Sequence, residues 1–343
     1  MDRPTVHDLA RHAKVSLATI DRVLNGRPGV RDKTVARVQK AIEDLGYARD
    51  ANAATLARKK PYRFVFLLPK AETQFMSALI AAIRDAEAVH AALRAEIVII
   101  QASMLTPEEA SNSIRSLDAK NIDGLAIMAP ETPTIRDAVI KLRSDGVPVV
   151  PIITDLPDAG CGHFVGTNNI AAGRTAARLL GGFIGPQVGS IAVIGGQTMS
   201  RNILDRRLGF DQVMGERYPR LRILPTAEGL DNANRVKLIA QTLLERHDDL
   251  VGIYMSAGGT RGLHAALKEH EGALPRVVVQ DLTPIARHGL EANVFDAVIG
   301  QDLGHVARSA VRVMRSMKDQ LPLSRQQERI RIEVFTSENL PDP

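Results

Sequence analysis

A single cysteine, Cys161, among 343 residues excludes an intramolecular disulfide and any zinc site built from several cysteines. Tryptophan is absent and aromatic residues make up only 3% of the chain, so the broad stacking platforms that favour long oligosaccharides are scarce. No stretch approaches the roughly 18 consecutive apolar residues of a membrane span. The opening residues, Met1 to Asp8, carry charges where a secretion signal would place its apolar run, so a reducing, cytoplasmic setting is expected. Enzymatic signatures are missing as well. Gly195-Gly196 and the cluster Gly258 to Gly262 follow strand-like runs, but neither completes G-x-G-x-x-G or a P-loop with its lysine, and there is no G-x-S-x-G or H-E-x-x-H. The nine histidines are scattered; His7/His12 and His264/His270 do not stack on one helical face, and they read as surface residues. No catalysis, metal or organic cofactor is expected.

What is present is a chain long enough for two or three domains, with the 45% hydrophobic and 24% charged residues of an ordinary globular protein. Its charge is unevenly placed. Residues 1–60 hold 13 Lys and Arg against 7 Asp and Glu, whereas the remainder holds 31 against 32, so the entire basic excess lies in the N-terminal sixth. Such a block is either solvated surface or the electrostatic footprint of a small nucleic-acid-binding module.

Helical spacing favours the second reading. Val6, Leu9, Ala10 and Ala13 share one face of a short helix from about Thr5 to Ala13, and Thr5 and Asp8 have capping-box spacing. Ser16 is placed to cap a second helix with Ile20, Val23 and Leu24 inward and Leu17, Ala18, Thr19, Asp21 and Arg22 outward, ending at Asn25-Gly26. A third stripe, Val35, Val38, Ile42 and Leu45, closes at Gly46. Two short helices on a tight turn, backed by a third, form a helix-turn-helix module that places its second helix in the major groove.

The run from Thr5 to Tyr47 resembles the DNA-binding headpiece of the lactose-repressor (LacI) family. It carries Thr5, Asp8, Ala10, Ala13, Val15, Ser16, Thr19, Arg22, Val23, Leu24, Asn25, Lys33, Thr34, Val38 and Leu45-Gly46-Tyr47 of that pattern, with Asp21 where serine is usual. The resemblance implies that Leu17, Ala18 and Arg22 face base edges, Arg22 as a bidentate partner of guanine, while Thr5, Ser16, Thr19 and Asn25 hold the DNA backbone or cap helices. Asp21 either pairs with Arg22 or accepts from an exposed cytosine amine. Residues 48–60, Ala-rich and ending in a basic cluster, correspond to the family's hinge helix. Leu56 matches its minor-groove wedge, although Arg49 replaces the proline usual near its start.

Beyond Tyr62, apolar β-rich runs alternate with helical patterns: RFVFLLP, EIVIIQ, DGLAIMA and VPVVPII, then SIAVIGG, LRILPTA, VGIYMS and RVVVQD. Near-continuous apolar strands between helices mean parallel sheets covered on both faces. Two series, parted near residues 155–162, imply two doubly wound lobes with a ligand cleft at the carboxyl ends of the strands. The expected organisation is an all-α helix-turn-helix headpiece over 1–47, a hinge helix over 48–60 and a two-lobed α/β effector domain over 61–343, with the chain crossing back near 290–300 and 320–326.

This order of elements resembles the periplasmic-binding-protein type I fold of LacI-family effector domains. Val165 to Gly181 resembles a family motif with Asn168 in place of aspartate, Arg206 lies three residues before Gly209-Phe210, Asp281 ends RVVVQD, and Gln301-Asp302 follows FDAVIG. The resemblance implies a polar set of Arg206, Asp281 and Gln301, with Phe75 and Phe164 as apolar covers for the C–H face of a sugar. Each has a structural alternative: a surface ion pair for Arg206, a helix cap for Asp281, a helix start for Gln301, core packing for the phenylalanines. Ser256-Ala257-Gly258-Gly259 stands where many members carry Asn-Asp, so one strong acceptor is missing from that loop. The expectation is a ligand-regulated repressor that binds a pseudo-palindromic operator as a homodimer and responds to a monosaccharide or polyol. A solute-binding protein of a sugar importer shares the two lobes but lacks the basic three-helix module.

Overall fold

The computed structural model describes residues 4–24, 28–47, 60–89, 95–104, 106–196 and 200–342. The chain divides into two compact units, Met1–Lys60 and Pro61–Pro343.

The first unit is a three-helix module of α1 (Val6–His12), α2 (Leu17–Leu24) and α3 (Asp32–Leu45). The capping box forms as the spacing predicts: the Asp8 amide donates to Thr5 Oγ1 at 3.3 Å and the Thr5 amide to Asp8 Oδ2 at 2.9 Å. Lys14, with φ 51°, makes the tight turn into α2, and Gly46, with φ 57°, closes α3 in the left-handed conformation that glycine adopts without a Cβ clash. Leu9, Ala13, Ile20, Val38 and Ala41 form the buried core, with Val23, Leu24, Ile42 and Leu45 packed against it.

The second unit contains two sheets. The first lobe comprises β1 (Tyr62–Pro69), α4 (Gln74–Val89), β2 (Ala95–Ala102), α5 (Pro107–Arg115), β3 (Gly124–Ile127), α6 (Pro133–Ser144) and β4 (Val149–Pro151). Its all-parallel sheet has the order β2-β1-β3-β4. The second lobe comprises α7 (Asn169–Ile184), β5 (Gly189–Gly195), α8 (Arg201–Arg217), β6 (Leu221–Ile223), β7 (Ala227–Glu228), α9 (Ala233–Arg246), β8 (Leu250–Met255), α10 (Thr260–Glu269), β9 (Arg276–Gln280), α11 (Pro284–Glu291) and β10 (Ala297–Gly300). Its sheet runs β11-β10-β9-β8-β5-β6, with β7 also on β5. The edge strand β11 (Glu333–Phe335) is antiparallel to β10.

Side-chain alternation explains why the strands are apolar throughout. Phe64, Phe66 and Leu68 of β1 enter one core cluster, while Val65 and Leu67 enter another on the opposite face. The helix α12 (Leu303–Lys318) follows the last parallel strand of the second lobe, yet it lays Val306, Ala310, Val311 and Met314 into the core of the first lobe beside Phe64 and Phe66. The chain then returns to β11. On this return Glu328, 4% exposed, accepts from Arg312 Nε at 2.8 Å, Arg312 Nη2 at 2.6 Å and Ser309 Oγ at 2.5 Å.

Two sequence readings need correction, and one strand was not foreseen. LRILPTA forms two short strands rather than one, because Pro225 between them has no amide hydrogen for the ladder. The three-residue β11 has too little pattern to announce itself. His264 is buried at 7% exposure, not a surface residue; its ring lies 5.3 Å from that of His288 and its Nε2 has no hydrogen-bond partner among the described residues. Burial, followed by the neighbouring His288, holds His264 below the usual histidine range.

Candidate functional site

In the N-terminal unit the exposed face of α2 presents Leu17, Ala18, Asp21 and Arg22, the Leu17 side chain remaining 44% exposed. An apolar side chain left in water at the start of a helix, beside an exposed arginine, is a surface suited to thymine methyls and base edges. Ser16 and Thr19 have local roles: the Thr19 amide donates to Ser16 Oγ at 3.2 Å, and the two hydroxyls lie 2.9 Å apart. Thr5 is engaged in its capping box. Asn25, Leu56 and the hinge segment from 48 to 59 lie outside the described residues.

In the second unit a cavity of about 1140 Å³ opens between the lobes, at the upper end of the roughly 300 to 1,000 Å³ of ligand pockets. Its walls draw on the carboxyl ends of strands in both sheets and the loops that leave them: Pro69 at the end of β1, Met128 after β3, Ile153 after β4, Gly196 after β5 and Asp281 after β9. Strand order reverses between β1 and β3 and between β5 and β8, so the cavity sits at the switch points where doubly wound sheets leave a crevice.

Arg206 is the best-fixed polar group of the cleft. It is 3% exposed, and it donates from Nε to Asn169 Oδ1 and from Nη1 to the Ser256 carbonyl, both at 2.9 Å. It is therefore no surface ion pair. Asn169 in turn donates to the carbonyl of Ile153 at 3.4 Å. Ile153 holds φ 63°, a conformation that costs a β-branched residue roughly 1 to 3 kcal/mol. The helix carrying Arg206 approaches α7 very closely, since a Cβ at Gly173 would meet the Arg206 carbonyl oxygen at 1.9 Å and one at Gly209 the Ile170 oxygen at 2.0 Å. The glycines of both motifs thus serve this helix contact.

Asp281 does not cap a helix; Thr283 caps α11. Its φ of 66° turns the chain away at the end of β9 and leaves its carboxylate on the cavity wall. Burial raises its pKa above the usual carboxylate range, while the nearby Arg206 charge and a hydrogen bond donated by Gln301 oppose that shift and Asp231 adds to it. Gln301 stands behind Asp281 rather than on the wall, with its Oε1 buried and without a partner among the described residues. Asp302, not Gln301, caps α12 by accepting from the His305 amide at 2.7 Å. Phe75 lines the cavity. Phe164 does not: its ring covers Gly166, where a Cβ would lie 2.3 Å from the ring edge, and it stands outside the cavity wall.

Several wall residues were not foreseen. Asn202 lines the cavity at 8% exposure, its Oδ1 without a hydrogen-bond partner among the described residues. Asp231, with φ 54°, follows β7, and its Oδ1 accepts from the Gly258 amide at 2.7 Å. The carboxylate missing from the Ser256 to Gly259 loop thus arrives from a neighbouring one. Below them Gln280 donates to Tyr254 Oη at 2.8 Å; burial pushes this phenol up to about 12. The Asn168-Asn169 pair was the one available signal: Asn168 caps α7, leaving the second amide free for Arg206.

Together these features define a two-lobed ligand-binding domain of periplasmic-binding-protein type, joined in one chain to a helix-turn-helix module. Residues 64–320 match the periplasmic binding protein domain model and residues 5–50 the model of bacterial regulatory proteins of the lacI family. The chain belongs to the LacI family. It is 29% identical over 213 residues to catabolite control protein A of Staphylococcus aureus, a match spanning 62% of this chain and 61% of that protein. It is likewise 29% identical over 214 residues to the HTH-type transcriptional regulator RegA of Clostridium saccharobutylicum, covering 62% and 61% respectively. Among solved structures, a solute-binding protein of Burkholderia graminis in complex with D-arabinose superposes with a TM-score of 0.73 at 21% identity, covering 82% of this chain and 98% of that one. GanP, a glucose-galactose binding protein of Geobacillus stearothermophilus, gives 0.72 at 20% identity, with 82% and 100% covered. Among the described residues no helix is long and apolar enough to cross a membrane.

Proposed function

We propose that this protein is a DNA-binding transcriptional repressor controlled by a monosaccharide or polyol held between the lobes of its larger domain. The observation that carries the reading is the presence, in one chain, of a helix-turn-helix module with an exposed Leu17–Arg22 face and a cleft equipped with Arg206 and Asp281. Leu17, Ala18 and Arg22 read base edges; Thr5, Ser16, Thr19 and Asn25 hold the backbone or cap helices; Leu56 wedges into a central minor-groove step. Two copies read the half-sites of a pseudo-palindrome. A ligand that binds one arrangement of the lobes more tightly than the other shifts the population between them, and the difference in affinity sets how far operator binding can change. The importer reading accounts for the lobes but leaves the N-terminal module without a task.

The test has two parts. Selection of duplexes from a random pool should enrich sequences with two-fold symmetry, and a thermal-shift screen of the full chain against sugars and polyols should find members that raise Tm by mass action. Hits should change operator retention in a gel shift. Asymmetric enriched sites, or hits that leave operator binding untouched, would refute the reading.

A further inference from the structure

Among the ionisable side chains that line the cleft, carboxylates outnumber guanidinium groups. Asp231 and Asp281 both line its wall, as do the exposed Glu72 and also Asn202, whose buried Oδ1 has no hydrogen-bond partner among the described residues. Against them stand two guanidinium groups. Arg206 already spends two of its donors on Asn169 and Ser256, and its charge offsets that of Asp281. Arg261 is exposed on α10, and neither it nor Asp231 forms an ion pair among the described residues. The Gly258 amide satisfies one oxygen of Asp231 without neutralising it.

The local backbone is built to bring this carboxylate close. A Cβ at Gly258 would meet Asp231 Oδ1 at 2.8 Å, and one at Gly196 would lie 3.5 Å from the same atom. When a ligand displaces water from the cleft, the hydroxyls of a neutral sugar supply hydrogen bonds to Asp231 but no counter-charge, and an anionic sugar adds repulsion. A protonated amine supplies both hydrogen bonds and charge.

Resting on the sugar-site reading above, we propose that Asp231 is a ligand contact that selects a cationic ligand, an amino sugar or amino polyol, over its neutral and acidic counterparts. The ammonium group sits against Asp231 while the ring hydroxyls engage Asp281 and the remaining N–H donors of Arg206.

Calorimetry on the full chain tests this with two matched sets of probes: glucose, glucosamine and glucuronate, and galactose, galactosamine and galacturonate, at a pH where the amines are protonated. At least one amine should bind about tenfold or more tightly than its neutral parent, with the acid weakest. Asp231→Asn keeps a residue that tolerates positive φ, and it should cost the amine at least about tenfold more than it costs the neutral parent. The wild-type preference needs no variant, so a poorly folding mutant does not shield the idea. A neutral parent that binds as tightly as its amine, an acid that binds best, a preference unchanged by Asp231→Asn, or no binding by either amine would each overturn the proposal. Neutral sugars that bind and are lost on Asp281→Asn would leave the effector reading standing while this inference falls.

Discussion

Replacing Glu328 by glutamine tests whether the return of the chain from α12 to β11 is fastened by one buried charge. Hydrogen bonds to an ionised group are worth about 1.5 to 3 kcal/mol each, and removing one member of a buried ion pair costs about 3 to 5 kcal/mol. Two features reduce that loss. The Arg312 side chain retains 26% exposure, so water resolvates part of its guanidinium, and the amide oxygen of glutamine still accepts one bond. A net loss of about 2 to 4 kcal/mol follows, equivalent to a fall in Tm of roughly 4 to 10 °C for a domain of this size. The pH dependence carries a second signature. Burial raises the carboxyl pKa, but the donors from Arg312 and Ser309 outweigh it and set the folded value below the ordinary 4.5. The contribution of ionised Glu328 is therefore fully present above that ordinary value and disappears as pH falls through the folded one. Differential scanning calorimetry of wild type and Glu328→Gln should show the widest Tm gap near neutral pH and a closing gap in acid. A neutral-pH drop below about 1 °C, or a gap that persists in acid, would refute the account of this fastening.

Asp281→Asn should make the ligand-free domain more stable at neutral pH: the folded pKa is raised, so the wild type loses stability as pH rises from its ordinary 3.8 through the folded value, and the variant's advantage in Tm should open over that interval. Gly173→Ala should destabilise the second lobe by roughly 1 to 3 kcal/mol or more in urea unfolding, because its Cβ meets the Arg206 carbonyl oxygen of α8. Arg22→Ala, on an exposed helix face, should leave Tm unchanged yet lose about 1 to 3 kcal/mol of specific DNA binding and relax base preference at one symmetric pair of positions, as binding selections would show.

The N-terminal module was legible almost residue by residue, because its determinants are local: a capping box, a serine cap, stripes at helical spacing and a terminal glycine. The parallel strands were legible for a similar reason, since apolar runs buried on two faces leave a strong pattern. The apolar stripe of α12 would serve either lobe equally well, so local pattern alone does not assign it; only the expected crossings near 290–300 and 320–326 bracket this helix. Within the cleft, Arg206, Asp281 and Phe75 reach the wall, whereas Gln301 supports Asp281 from behind and Phe164 packs over Gly166. Asp231 and Asn202 escaped notice since their places depend on loop geometry: a left-handed turn fastened by the Gly258 amide in one case, and the first turn of α8 in the other. The glycines of the Ser256 to Gly259 loop held the missing clue, for a loop without side chains leaves space for a neighbour's.

The contribution of α12 to the first lobe has a consequence for the order of synthesis. Residues 62–151 leave the ribosome with all four strands of their sheet, but Phe64 and Phe66 lack the helical cover that Val306, Ala310 and Val311 later provide. The helix-turn-helix core, by contrast, draws only on residues up to Tyr47. A chain terminated between β4 and α12 therefore carries its helix-turn-helix core together with a sheet that lacks this cover, and exposed apolar surface of that kind is what chaperones and proteases engage.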